Sequence, residues 1–340
     1  MSTVPLIDIA PFLHGNPDDR HDVAREVDRV CRDIGFFILD GHGIPEARFS
    51  EIYDVSKAFF RLDAAVKAAV AQPAPDVVRG YIGYGAAALA DTLGDATPPD
   101  LKESFSAGPV DVPSGEPYYT STLARAHFAP NRWPARPSEF GTVWTRYYRV
   151  MTGLAADMMR LFALALDLPE GFFDDKIDRH IAILGAMYYP DQAVPPEPGQ
   201  LRAGAHTDFS TLTILRPDAA PGGLQVMTKA GDWAPVKAPP GTFIVNIGDL
   251  MARWTNDRWV STLHRVVNPP PDARLGSERI SIGFFHETNY DTLVECLPSC
   301  QSPKNPPKFP PVLAGEHLYT QFTRQARNAD PGETSAVTES

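Results

Sequence analysis

Apolar residues recur at three- and four-residue spacings over positions 22–34, where Val23, Val27, Val30, Cys31 and Ile34 form one stripe, the period of an amphipathic helix. Gly35 ends that pattern, and Phe36-Phe37-Ile38-Leu39 reads as a short buried strand. The helical period returns over 45–70 through Ala47, Phe49, Ile52, Val55, Phe59 and Phe60. It is clearest over 138–166, through Phe140, Val143, Trp144, Tyr147, Val150, Met151, Leu154, Met158, Leu161 and Phe162. Between 80 and 137 the chain is rich in Gly, Ala and Pro and weakly periodic, which predicts loops with short elements.

After Arg179 the pattern changes. Short β-rich runs occupy 181–189, 210–215, 223–227, 233–236, 242–247, 261–267 and 279–286, separated by turn residues such as Pro221-Gly222-Gly223 and Pro239-Pro240-Gly241. Many short strands punctuated by turns predict a sandwich or jelly roll. A last helix is expected at 315–327. The predicted fold is therefore mostly β with flanking helices, a jelly-roll core between amino-terminal helices and a carboxy-terminal one. Its expected organisation is an amino-terminal helical and irregular region packing on the core (1–137), then the long helix, β core and closing helix (138–327). A polar tail at 328–340 is expected to be disordered.

Composition narrows the function classes. The chain has 340 residues, 43% hydrophobic and 21% charged, as an ordinary globular protein has. Its formal charge is −11, with no run of Lys and Arg to neutralise a phosphate backbone, so nucleic acid is not an expected partner. No stretch approaches the ~20 apolar residues of a membrane span, and the first residues lack the pattern of a signal peptide. Cys31, Cys296 and Cys300 form no CxxC pair, a usage that suits a reducing cytoplasm. A cytoplasmic protein with a small-molecule substrate is expected, its oligomeric state unread.

Three features carry candidate chemistry. His206 and Asp208 flank Thr207, and residues two apart on an extended strand share a face. An imidazole and a carboxylate placed so can converge on one ion. His264, in a later β-branched run, is a third candidate if a jelly roll brings the two strands together. Two histidines and one carboxylate make the facial set of non-haem iron(II) oxygenases; the alternative is a hydrogen-bonded structural histidine. Arg279 and Ser281 share a face of the last predicted strand. An inward arginine in an apolar barrel needs a carboxylate partner, which guanidinium grips with two parallel hydrogen bonds.

The ordered series Gly35-Phe36-Phe37, Gly41-His42-Gly43-Ile44-Pro45, Tyr188-Tyr189-Pro190, His206-Thr207-Asp208, Gly223-Leu224-Gln225-Val226, Asn246-Ile247-Gly248-Asp249, Trp254-Thr255-Asn256-Asp257, His264-Arg265-Val266 and Arg279-Ile280-Ser281 resembles the isopenicillin N synthase-like family of iron- and 2-oxoglutarate-dependent dioxygenases. The match runs from about Pro5 to Thr323. The resemblance implies a double-stranded β-helix core and an enzyme, a dioxygenase using Fe(II), 2-oxoglutarate and O2. It implies His206, Asp208 and His264 as metal ligands and catalytic centre, with Arg279, Ser281 and Tyr189 on the co-substrate. Relatives often carry Asn two residues before that tyrosine, where this chain has Met187.

The implied activity oxidises an unactivated C–H bond of a small organic molecule, most simply to an alcohol, with succinate and CO2 as co-products. Tyr81, Tyr84, Glu103, Phe105, Phe209 and Phe285 are the expected substrate contacts. Two other readings stay open here: an oxidase of the isopenicillin N synthase type, which uses the triad without 2-oxoglutarate, and a non-catalytic β-barrel binding protein. His42 and Asp249 read as structural. His180 and His286 read as candidate barrel-lining residues without ligand spacing. Gly80-Tyr81-Ile82-Gly83-Tyr84-Gly85 has the wrong glycine order for a nucleotide loop, and no Gly-x-Ser-x-Gly elbow is present.

Overall fold

The computed structural model describes residues 4–86, 88–90 and 97–329. The strands of its two main sheets are β1 (Leu6–Asp8), β2 (Phe36–Asp40), β3 (Gly80–Ile82), β4 (Glu103–Ala107), β5 (Ile183–Tyr189), β6 (Ala203–His206), β7 (Leu212–Pro217), β8 (Gly223–Met227), β9 (Trp233–Pro235), β10 (Phe243–Ile247), β11 (His264–Val267) and β12 (Arg279–His286), and a separate small sheet pairs Leu293–Val294 with Val312–Leu313. Eight form one sheet in the order β1-β2-β10-β7-β12-β5-β4-β3, and four form a second in the order β6-β11-β8-β9. Within these sheets the β1–β2 pair is parallel and the other pairings are antiparallel. The two sheets make the jelly-roll core that the strand pattern predicts, with a cavity between them.

The large sheet is buried on both faces, and strand alternation decides which residue faces what. Phe105, Leu184, Ala186, Ile280, Ile282 and Phe284 join the hydrophobic core. The long helix Phe140–Ala165 lies on that side: Phe105 meets Phe140 and Trp144 edge-on, and Phe284 meets Tyr148 likewise. The intervening residues Ser104, Ser106, Gly185, Met187, Tyr189, Ser281 and Phe285 face the cavity.

Several elements depart from the sequence pattern. The first long helix is Pro17–Asp33, beginning before the apolar stripe. The Asn16 side chain accepts from the Asp18 and Asp19 N–H groups, and the Asp19 carboxylate accepts from Asn16 N–H, a capping box that fixes the start. Gly35 takes φ +64°, and a Cβ there would strike the Val260 carbonyl oxygen, so the turn into β2 needs glycine.

The helix expected over 45–70 is broken into Glu46–Phe60 and Ala64–Ala68. The break returns Lys67 toward the first segment, where its ammonium donates to the Phe60 carbonyl (3.0 Å) and to Glu103 (2.6 Å). The region read as loops with short elements supplies β3 and β4, which extend the main sheet beyond β5. The closing helix is Ala314–Ala329; Asn328 and Ala329, placed in the tail by sequence, belong to it, and the rest of that tail lies outside the described residues. No described helix is long and apolar enough to cross a membrane.

Candidate metal centre and its cavity

His206 closes β6 and His264 opens β11, and the two face each other across the antiparallel pair. Their ring centroids are 4.3 Å apart. Nδ1 of His206 lies 2.8 Å from the Gly204 carbonyl oxygen, and Nδ1 of His264 lies 3.1 Å from that of Thr262. A carbonyl can only accept, so each Nδ1 carries the proton and each Nε2 keeps its lone pair for the space between the rings. Asp208 completes the cluster: its Oδ1 is 3.8 Å from Nε2 of His206 and 3.7 Å from Nε2 of His264. The three potential ligand atoms lie within 4.8 Å of one another.

The carboxylate is aimed by its second oxygen. Oδ2 of Asp208 accepts from Thr213 Oγ1 (2.6 Å) and Asn246 Nδ2 (2.8 Å), leaving Oδ1 for the centre. The Asp249 N–H donates to the Asp208 carbonyl (2.7 Å), and Thr207 Oγ1 donates to the Asp249 carboxylate (3.0 Å). Asp249 is thus structural, as expected, and what it braces is the segment that carries Asp208.

Burial, then the neighbouring His264, holds His206 down to about 4, so its ring is neutral at physiological pH. For Asp208 burial acts the other way. The two imidazoles and the Thr213 and Asn246 hydrogen bonds outweigh it and keep the group below its ordinary value. Two imidazoles that present Nε2 and one ionised carboxylate, all aimed at one point, suit a divalent first-row cation bound on one face.

Arg279 and Ser281 are buried in the same cavity, and Tyr189 stands opposite Arg279 in the strand register. The Arg279 guanidinium carbon is 5.9 Å from the Tyr189 ring. Its Nε has no hydrogen-bond partner, and the nearest carboxylate oxygen, Asp218 Oδ1, is 3.9 Å away. Asp218 is already occupied by Tyr53 and by the Ile280 and Ala220 N–H groups. Gly223 (φ +139°) makes room for the guanidinium, since a Cβ there would lie 3.0 Å from Nη1. A buried, under-paired guanidinium facing a cavity is a built receptor for an anion.

The cavity measures about 240 Å³ and joins these groups to the triad. Of the expected substrate contacts, Phe209 and Phe285 line it, together with Leu318 and Phe322 of the closing helix. The others are elsewhere. Phe105 is fully buried in the aromatic core. Glu103 bonds Lys67 and the Tyr81 hydroxyl (2.7 Å) on the helical side of the sheet, and Tyr84 is 51% exposed and off the cavity wall. For Glu103 and Phe105 the reason is parity: β4 turns Ser104 and Ser106 inward, in phase with Lys102 just before it, and Glu103, Phe105 and Ala107 outward.

Sequence reasoning missed Lys102, Ser104, Ser106, Thr213, Asn246 and Glu287, all on the cavity wall. Asn246 had a signal, its place in the Asn-Ile-Gly-Asp motif. Glu287 had none beyond its position two residues after Phe285. The residue is 2% exposed, and burial, then the Asp208 charge, push its carboxyl well above the ordinary value. His42 is structural: its Nε2 reaches the Gly241 carbonyl (2.8 Å) and its Nδ1 accepts from the Ile44 N–H (3.1 Å). His180 and His286 line a separate cavity of about 480 Å³ on the helical side.

Comparison with known proteins gives the same picture. Residues 181–288 match the model of the 2OG-Fe(II) oxygenase superfamily, and residues 4–136 match that of the non-haem dioxygenase in morphine synthesis N-terminal region. A 2-oxoglutarate-Fe(II) type oxidoreductase, hxnY, of Emericella nidulans is 34% identical over 331 residues, covering 96% of this chain and 91% of the relative. Homoarginine-6-hydroxylase 2-ODD-233 of Oryza sativa subsp. japonica is 32% identical over 327 residues, covering 93% and 95%. The crystal structure of a full-length Neurospora crassa protein in complex with alpha-KG superposes with a TM-score of 0.82 at 30% identity, covering 94% of this chain and 96% of that one.

Proposed function

The chain belongs to the iron(II)- and 2-oxoglutarate-dependent oxygenase superfamily, and from that premise we propose that His206, Asp208 and His264 hold the iron while Arg279, Ser281 and Tyr189 hold the distal carboxylate of 2-oxoglutarate. The protein is a 2-oxoglutarate-dependent dioxygenase, an oxidoreductase acting on a small molecule. That sets aside the oxidase that works without 2-oxoglutarate and the binding protein without chemistry. The carrying observation is the convergence of Oδ1 of Asp208 with the two free Nε2 atoms.

When bound, iron with 2-oxoglutarate and O2 supplies the oxidising power, splitting 2-oxoglutarate into succinate and CO2 while a substrate C–H bond is oxidised. The remaining work belongs to the protein. The Gly204 and Thr262 carbonyls fix the two imidazole tautomers, and Thr213 and Asn246 fix the carboxylate. Arg279 neutralises the carboxylate of the co-substrate, and the Ser281 hydroxyl can donate to it. Phe209, Phe285, Leu318 and Phe322 give the cavity apolar walls that exclude water from the reacting carbon.

Hydroxylation is the favoured outcome, in line with the name of the rice relative. The acidic chain has no basic tract, which favours a partner set without nucleic acid or membrane. Three free thiols favour the cytoplasm. Labelled 2-oxoglutarate incubated with the iron-loaded protein tests the reading. Formation of succinate and CO2 is expected; neither product forming, with or without candidate substrates, would overturn it.

A further inference from the structure

Resting on that proposed site, we infer that Glu287 recognises the substrate and takes the cationic nitrogen end of an amine- or guanidine-bearing molecule whose carbon framework lies against Phe209, Phe285, Leu318 and Phe322. Six acidic or basic side chains line the cavity: Lys102, His206, Asp208, His264, Arg279 and Glu287. Three form the metal cluster, and Arg279 serves the co-substrate carboxylate. Lys102 is neutralised by Asp100 at 3.0 Å. Glu287 has no hydrogen-bond or ion-pair partner among the described residues, yet it is 2% exposed and on the cavity wall.

An acid buried without a partner disfavours the folded state, and an apolar residue of similar size would remove that penalty. A ligand that brings a cation removes it as well. Glu287 also shares its wall with three phenylalanine rings, whose faces attract a cation rather than an anion.

Position supports the same assignment. Arg279 opens β12 and Glu287 directly follows its end, so the two lie about 26 Å apart along the strand at ~3.3 Å per residue. One end of the cavity is built for an anion and the other for a cation. A dicarboxylate co-substrate finds its counter-charge at the first and none at the second, which keeps the two ligands from exchanging places.

The test uses full-length protein loaded with manganese(II), which permits binding without turnover, and titration calorimetry. 2-Oxoglutarate is titrated first. Butylguanidine, butylamine and benzylamine are then each compared with a neutral counterpart: butylurea, butanol and benzyl alcohol. At least one cation should bind tenfold or more tightly than its counterpart, and Glu287→Gln should erase that preference. Equal binding within every pair, no binding by any cation, or an unchanged preference in the variant would each overturn the inference. The wild-type pairs decide the matter even if the variant does not fold. Binding of 2-oxoglutarate with no cation preference removes Glu287 alone from the account; no binding of 2-oxoglutarate removes the proposed site beneath it.

Discussion

Asn246 donates from Nδ2 to Oδ2 of Asp208 at 2.8 Å, reaching from β10 of the large sheet to a carboxylate that follows β6 of the small one. Thr213, on β7, makes the second bond to the same oxygen. The carboxylate is therefore oriented by two side chains of the opposite sheet before any ligand arrives. Asn246→Ala should weaken metal binding about 10- to 100-fold, the usual cost of losing such support. Manganese(II) titration of the variant checks this, and an affinity equal to wild type would deny Asn246 its positioning role.

His206→Ala and Asp208→Ala should each abolish succinate formation and reduce metal uptake well below one equivalent. Both residues line a cavity rather than fill the core, so circular dichroism should show an intact fold. Retained turnover in either variant would place the metal elsewhere.

Arg279→Leu should raise the Michaelis constant for 2-oxoglutarate about 30-fold or more, since truncating one partner of a buried charge pair costs roughly 2–5 kcal/mol. Steady-state kinetics at varied 2-oxoglutarate reads the effect. An unchanged constant would free Arg279 from its assigned carboxylate.

Phe105→Ala and Ser106→Phe separate the two faces of β4. The first empties the aromatic core around Phe59, Phe140 and Trp144 and should destabilise the protein by about 3–5 kcal/mol. The second fills the cavity and should suppress substrate-stimulated succinate release with little change in melting temperature. Denaturant melts and succinate assays together reveal whether the faces are reversed.

Glu278 gives the fold a pH dependence. Burial alone would raise its carboxyl, but hydrogen bonds from Arg61, Tyr188 and Lys57 hold it at about 2, below its ordinary 4.5. The folded value lies below the unfolded one, so this stabilisation is present above pH 4.5 and is lost as pH falls toward 2. Solvent screening reduces it to about 1 kcal/mol. Melting temperatures of wild type and Glu278→Gln should converge across that window, and a constant difference would sink the linkage.

Much of this was legible in the chain. The helical stripe at 138–166, the succession of short strands after Arg179 and the spacing of His206 and Asp208 are local patterns, each written within a few residues. The helix over 45–70 misled because nothing local marks its break. Lys67 turns back to partners that include Glu103, on a strand 36 residues away.

The sequence by itself determined the fold class and singled out His206, Asp208, His264 and Arg279 as candidates, because periodicity and motif order survive without knowledge of neighbours. Which residues of β4 face the cavity was decided only by tertiary structure. Ser104-Phe105-Ser106-Ala107 alternates polar and apolar, but only the packed neighbours decide that the serines line the cavity while Glu103 shares the apolar face with Phe105, and a one-residue error reverses every side chain. Glu287 belongs to the same category: an acid is defined as solitary only by the absence of partners in space, and no stretch of chain reports what has failed to approach it.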